Sequence, residues 1–160
     1  QVDEGLRDCD FGRWAGVSLK ELQAREPEAL TEWLADPAST PHGGESVAQL
    51  YQRASDWLAQ QREPGTWIAV THPFMLRVVM LRILDAPLSS FHRIDVSPMA
   101  KLHLSFADYG DCGLMAKWWV RQLSLSARSG AVPKGVADCG EELAGLRRVE
   151  ISRCTLSGNV

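Results

Sequence analysis

Trp67-Ile68-Ala69-Val70-Thr71-His72-Pro73-Phe74 constrains the fold more than any other stretch of this chain. A short continuous apolar run bounded by a turn reads as a strand buried on both faces, as in a parallel sheet. Pro73 then opens an apolar helical pattern. Proline at the first helical position has its φ already set and lacks only an N–H that would have no intrahelical partner there. His72 is thereby expected at the carboxyl end of a buried strand, beside a helix N-terminus. In open α/β sheets ligands bind at such strand ends. The free N–H groups and the positive end of the helix dipole favour an anion, typically a phosphate. Position alone leaves a second reading open, in which His72 only caps the helix or fills a polar corner.

The sequence on either side narrows the class. With 160 residues, one domain is the natural expectation. A net charge of −3 gives no support for nucleic acid or an anionic membrane as a partner. No apolar run approaches the roughly 18 residues that span a bilayer, and the opening residues do not read as a signal peptide. Cys9, Cys112, Cys139 and Cys154 are scattered without Cys-x-x-Cys spacing. That argues against a zinc site, gives little support for a disulfide framework, and makes a reducing cytoplasm the expected compartment. Neither a metal nor another cofactor is expected. The chain starts with Gln1, not Met, so it is expected to be processed or to be a piece of something longer.

Ahead of the central stretch the pattern is mostly helical. Asp8 to Gly16 alternates acids, aromatics and glycines, which points to turns and close backbone approach. An acid held against Phe11 and Trp14 would be partly desolvated, which suits a proton donor, although a plain acidic loop is the commoner case. Ser18 and Glu21 fit a capping box for a helix to about Arg25, and Pro27 restarts a helix with Ala29, Leu30, Trp33 and Leu34 on its apolar face. After a Pro/Ser/Thr/Gly loop, Ser46 is the expected N-cap of a helix carrying Val47, Leu50, Tyr51, Ala54, Trp57 and Leu58 on one face. Glu45 sits at its mouth, where compensation of the helix dipole is the plain explanation.

Behind the central stretch, residues 73–84 are apolar nearly all round and predict a buried helix with Arg77 and Arg82 solvated at its edges. Asp85 to Pro98 reads as irregular. Met99 to Phe106 alternates and predicts a half-exposed edge strand with His103 facing water. Lys117 to Val120 predicts a last strand, 124–140 a loop or disordered stretch, and 141–151 a short helix. Helix, buried strand, helix is the pattern of a parallel α/β sheet.

Three segments in this order resemble the histidine phosphatase superfamily, also called the phosphoglycerate mutase-like family. Leu6-Arg7-Asp8-Cys9-Asp10-Phe11-Gly12-Arg13-Trp14-Ala15-Gly16 is similar to the family's L-R-E-x-D-F-G-x-W-E-G segment. Pro41 to Ser46 is similar to its P-x-G-G-E-S turn, and Val70-Thr71-His72 to the strand end carrying its second active-site histidine. The match runs from about residue 1 to about residue 106. Each motif alone is weak; the ordered triple is fairly specific. The resemblance implies a three-layer α/β/α fold with a mostly parallel sheet, incomplete at the N-terminus. Residues 1–110 would form the partial phosphatase-like domain and 111–160 an unassigned C-terminal extension.

The resemblance also implies phosphoryl transfer through a phosphohistidine, on a small phosphorylated substrate or phosphate anion. Positive charge from Arg and His takes the place of a metal on the charged phosphoryl oxygens. The second histidine falls on His72, the proton-donor acid on Asp8, and the glutamate of the Gly-Glu-Ser turn, with a supporting role, on Glu45. Three departures stand out. The chain has no Arg-His pair, so the family's nucleophile is absent; His42-Gly43-Gly44 follows Pro41 in a loop and does not replace it. Asp8 is one methylene shorter than the usual glutamate, enough to misplace an acid and slow the reaction. Pro73-Phe74 replaces Gly-Gly, which removes one N–H donor and puts apolar Phe74 at the substrate entrance. A phosphatase in the complete protein and a catalytically inactive, anion-binding remnant are both open at this point. So is an ordinary α/β domain in which the three residues lie far apart. Without its usual neighbour, the strand ending at His72 is expected to expose an apolar edge. The oligomeric state is not legible.

Overall fold

The predicted central strand is present as β1, Gly65–Thr71, and the helix that Pro73 opens is α4, Pro73–Leu84. The computed structural model describes residues 1–61, 65–97, 99–107, 117–124 and 147–153. Before β1 come α1 (Leu19–Arg25), α2 (Pro27–Ala35) and α3 (Val47–Gln60). The Ser18–Glu21 capping box and the proline start of α2 are as expected. Ser46 caps α3, and Gln49 completes a second capping box there. Short 3₁₀ turns span Glu4–Leu6, Gly12–Trp14 and Leu88–Arg93, the last lying in the stretch read as irregular.

Three further strands, β2 (Lys101–Ala107), β3 (Lys117–Ser124) and β4 (Arg147–Arg153), complete a four-stranded sheet of order β1-β4-β2-β3. β4 runs parallel to β1, with Thr71 opposite Arg153, whereas β2 is antiparallel to both β4 and β3. The mostly parallel sheet is thus not what the described pairings form; the sheet is mixed. A parallel crossover needs about a dozen residues or more, and the connection from β2 to β3 is shorter. β2 is an interior strand, not the expected edge, because β4 takes its other side. The expected helix at 141–151 is replaced by strand over its described part. Val149 and Ile151 alternate with charged and polar residues at the period of two that a strand requires. Residues 125–140 of the predicted loop and 141–146 of the predicted helix lie outside the described residues. Both β3 and β4 fall in the stretch read as a C-terminal extension.

The core forms where α3 and α4 meet the sheet. Leu50, Met75, Leu76, Val78, Val79, Leu81 and Phe91 are essentially inaccessible to solvent. Ala69, Ile151 and Leu102 lie opposite one another across β1, β4 and β2 and are all buried. β1 itself is not buried on both faces. It lies at an edge of the described sheet, and Ile68 and Val70, on the face away from Ala69 and Thr71, are 72% and 57% exposed. An edge strand with one open face cannot be sealed by the helices on the other. The sequence expectation of an exposed apolar edge matches this placement.

Candidate active site at the end of β1

The site grows from the junction between β1 and α4. His72 keeps an extended backbone at the N-cap of α4, but its side chain makes no capping hydrogen bond. Its Nδ1 lies 3.4 Å from Asp8 Oδ2, with both side chains partly open to solvent. That distance is long for a hydrogen bond but puts the two side chains in contact. His72 therefore faces an acid instead of capping the helix. Pro73 contributes no N–H, so the open end of α4 offers the amides of the turn that follows it.

Asp8 is positioned by contacts that reach far along the chain. The Thr71 hydroxyl donates to the Leu6 carbonyl at 2.6 Å, joining the end of β1 to the segment that carries Asp8. Asp3 accepts from Gly5 N and from Trp57 Nε1, both at 2.8 Å, and fixes the preceding turn against α3. Arg53, from the middle of α3, donates to the carbonyls of Gly5, Arg7 and Asp8 at 3.0, 3.0 and 3.2 Å. The remaining face of its guanidinium meets Glu45 in a two-point ion pair of 2.8 and 2.7 Å. Such fork-to-fork pairing fixes direction as well as charge. Glu45 thus has a larger task than dipole compensation. Its carboxylate is taken by Arg53, so it acts on Asp8 through the backbone and does not meet His72.

The two glycine-bearing motifs are clasped together behind this group. Glu45 N donates to the Asp10 carbonyl at 2.7 Å, and Arg13 N to the His42 carbonyl at 3.0 Å. A side chain on Gly44 would collide with the Asp10 carbonyl, and Gly12 adopts φ +49 against His42. Cys9 is buried between the segments, its Sγ 3.4 Å from the Glu45 carbonyl. Burial, with the nearby Glu45 and Asp8 charges, pushes this thiol up to about 12, which makes it inert as a nucleophile.

His42 is a core residue. It is 2% exposed, its ring packs against Phe11, Trp14 and Trp33, and its Nδ1 accepts from Gly44 N at 2.9 Å. Burial moves its pKa down, so the neutral ring is the stable form. Beside these rings a cavity of about 460 Å³ opens, lined by Phe11, Trp14, Leu30, Trp33, Phe74 and His92 among others. Phe74 stacks on Trp33 with ring centres 6.1 Å apart and meets Phe11 edge-on at 5.1 Å. Arg77 is not simply solvated; its guanidinium lies over Phe74 and Phe91.

The fold therefore brings His72 and Asp8 together, with Glu45 one ion pair behind. Sequence reading missed Arg53 and Trp33. Each looks like an ordinary member of a helical face, and only long-range contacts single it out.

A family model described as the histidine phosphatase superfamily (branch 1) matches residues 1–120. The bifunctional protein Rv2228c of Mycobacterium tuberculosis is 33% identical over 96 residues, covering 58% of this chain and 26% of the relative. Phosphoserine phosphatase 1 of Hydrogenobacter thermophilus is 28% identical over 93 residues, covering 56% of this chain and 44% of the relative. The chain thus spans about a quarter of the first and under half of the second. The solved complex of mycobacterial glucosyl-3-phosphoglycerate phosphatase Rv2419c with inorganic phosphate superposes with a TM-score of 0.57 at 22% identity, covering 78% of this chain and 62% of that one. The last likeness is one of fold.

Proposed function

The chain belongs to the histidine phosphatase superfamily, and on that premise we propose that it is the His72-bearing part of a phosphatase or phosphomutase acting on a small phosphomonoester. The observation that carries this reading is the meeting of His72 with Asp8 at the carboxyl end of β1, beside the N-terminus of α4. An imidazole and helix amides together suit the oxygens of a phosphoryl group. Asp8, 3.4 Å away, is the acid that gives its proton to the leaving oxygen. Glu45 and Arg53 are positioning residues, holding the Asp8 backbone. In the complete protein a nucleophilic histidine would form a P–N bond as the ester P–O bond breaks, and water would then release phosphate. The phosphatase activity named for relatives such as phosphoserine phosphatase 1 supports hydrolysis. A three-layer arrangement would cover the open Ile68–Val70 face, and the cytoplasm suits the chain's unpatterned cysteines.

A second reading is favoured by the sequence itself. No Arg-His pair occurs in the 160 residues. On this reading the chain holds an anion at His72 without turnover. Two measurements separate the readings. Acid-labile phosphohistidine formed by the complete protein supports the first, and its absence with every phosphomonoester overturns it. Phosphomonoester turnover by the purified 160-residue chain, abolished by His72→Ala, overturns the second.

A further inference from the structure

The aromatic cavity is not needed to hold a phosphate and neither His72 nor Asp8 lines it, yet two of its walls come from the segments that carry those residues. Phe74 stands two residues after His72, in the first turn of α4, and Phe11 stands three residues after Asp8. The cavity therefore opens from the same two segments as the proposed phosphoryl site. Its volume of about 460 Å³ falls within the usual range for small-molecule sites, about 300–1,000 Å³. Phe11, Trp14, Trp33 and Phe74 give it flat apolar walls, and such walls favour offset or edge-on ring contacts. Arg77 and His92 also line it and bring polar groups to these walls, and the Trp33 indole adds another. Trp33 is 7% exposed, and its Nε1 has no hydrogen-bond partner among the described residues. A buried donor without an acceptor is costly unless a ligand supplies one.

From these observations we infer that the cavity is the leaving-group subsite, and that the substrate is an aryl or similarly flat, apolar phosphomonoester with a hydrogen-bond acceptor on its apolar part. The inference rests on the phosphomonoester reading of the His72 site for the cavity's role. Burial of a flat ring against four aromatic side chains is what distinguishes such a substrate, while Arg77 and His92 on the same walls can meet its polar groups.

Calorimetric titration of the 160-residue chain tests this with inorganic phosphate, O-phosphoserine, 1-naphthyl phosphate and 1-naphthol. The naphthyl ester should bind about tenfold or more tightly than either other phosphate, from burial of its ring. Val17→Trp, which fills the cavity from its wall, and Leu34→Gln, which makes its 48%-exposed rim polar, should erase that margin. Neither should change binding of inorganic phosphate, and the exposed position of Leu34 protects the fold. Equal affinity for the three phosphates overturns the aromatic subsite, as does a naphthyl preference that survives both substitutions. A cavity already filled by another part of this chain, or by a second copy, would leave 1-naphthol unbound and overturn it too. If both naphthyl compounds bind and Val17→Trp releases both while inorganic phosphate never binds, the cavity stands and the phosphoryl-site reading falls.

Discussion

Arg53 connects more of the site than any other single side chain described. Its partner Glu45 is 10% exposed and the guanidinium 17%, so little solvent is present to replace either one. Arg53→Ala leaves a buried carboxylate alone and four carbonyls without their donor. A stability loss of about 3 kcal/mol is expected in urea denaturation, together with weaker phosphate binding as the Asp8 segment loosens. The titrating residues give two further predictions. Cys9, with its thiol pushed up to about 12, should resist alkylation at pH 8 in the folded chain and react once urea unfolds it; peptide mapping reads this directly. Burial holds His42 below its ordinary value of 6.5. The unfolded chain therefore binds protons first as the pH falls. This part of the stability is complete above pH 6.5 and is lost as the pH drops through the folded-state value. The melting temperature should fall between pH 7 and pH 5.5, and His42→Gln should flatten the slope.

Local rules fix where the helices start and leave strand pairing and coverage undecided. The starts of α1, α2 and α3 follow from Ser18, Pro27 and Ser46, because a cap is a contact between residues two or three apart. Ser46→Ala should lower stability by about 1 kcal/mol, measured by thermal unfolding. β4 is strand where the sequence predicts a short helix, because only pairing on both sides decides so short an apolar alternation. β1 was placed correctly and its burial was not, since an apolar strand does not reveal which of its faces will be covered. Its exposed Ile68 and Val70 make it an open template for strand addition. Val70→Lys should reduce concentration-dependent light scattering without lowering the melting temperature.

Across the whole molecule, one sheet joins residues far apart in the chain. β4 separates β1 from β2 and pairs with both, so residues after 146 hold together two strands that lie 40 or more positions earlier. Removing residues 111–160 should abolish cooperative unfolding in circular dichroism, because β1 and β2 lose the strand between them. The same closure brings Arg153 to the register position opposite Thr71, next to His72. The carboxyl ends of two adjacent parallel strands are thus presented on the side where ligands of α/β proteins bind.

The sequence by itself determined the helix starts, the strand end at His72 and the ordered motifs of the family. Each depends on residues within a few positions of one another, where covalent geometry and short-range hydrogen bonds dominate. Tertiary structure alone decided that Glu45 would be held by Arg53, that Asp8 rather than the helix end would face His72, and that four aromatic side chains would wall a cavity beside them. These outcomes depend on contacts between segments tens of residues apart. Their geometry is set by the packing of α3, α4 and the sheet, and no local periodicity carries it.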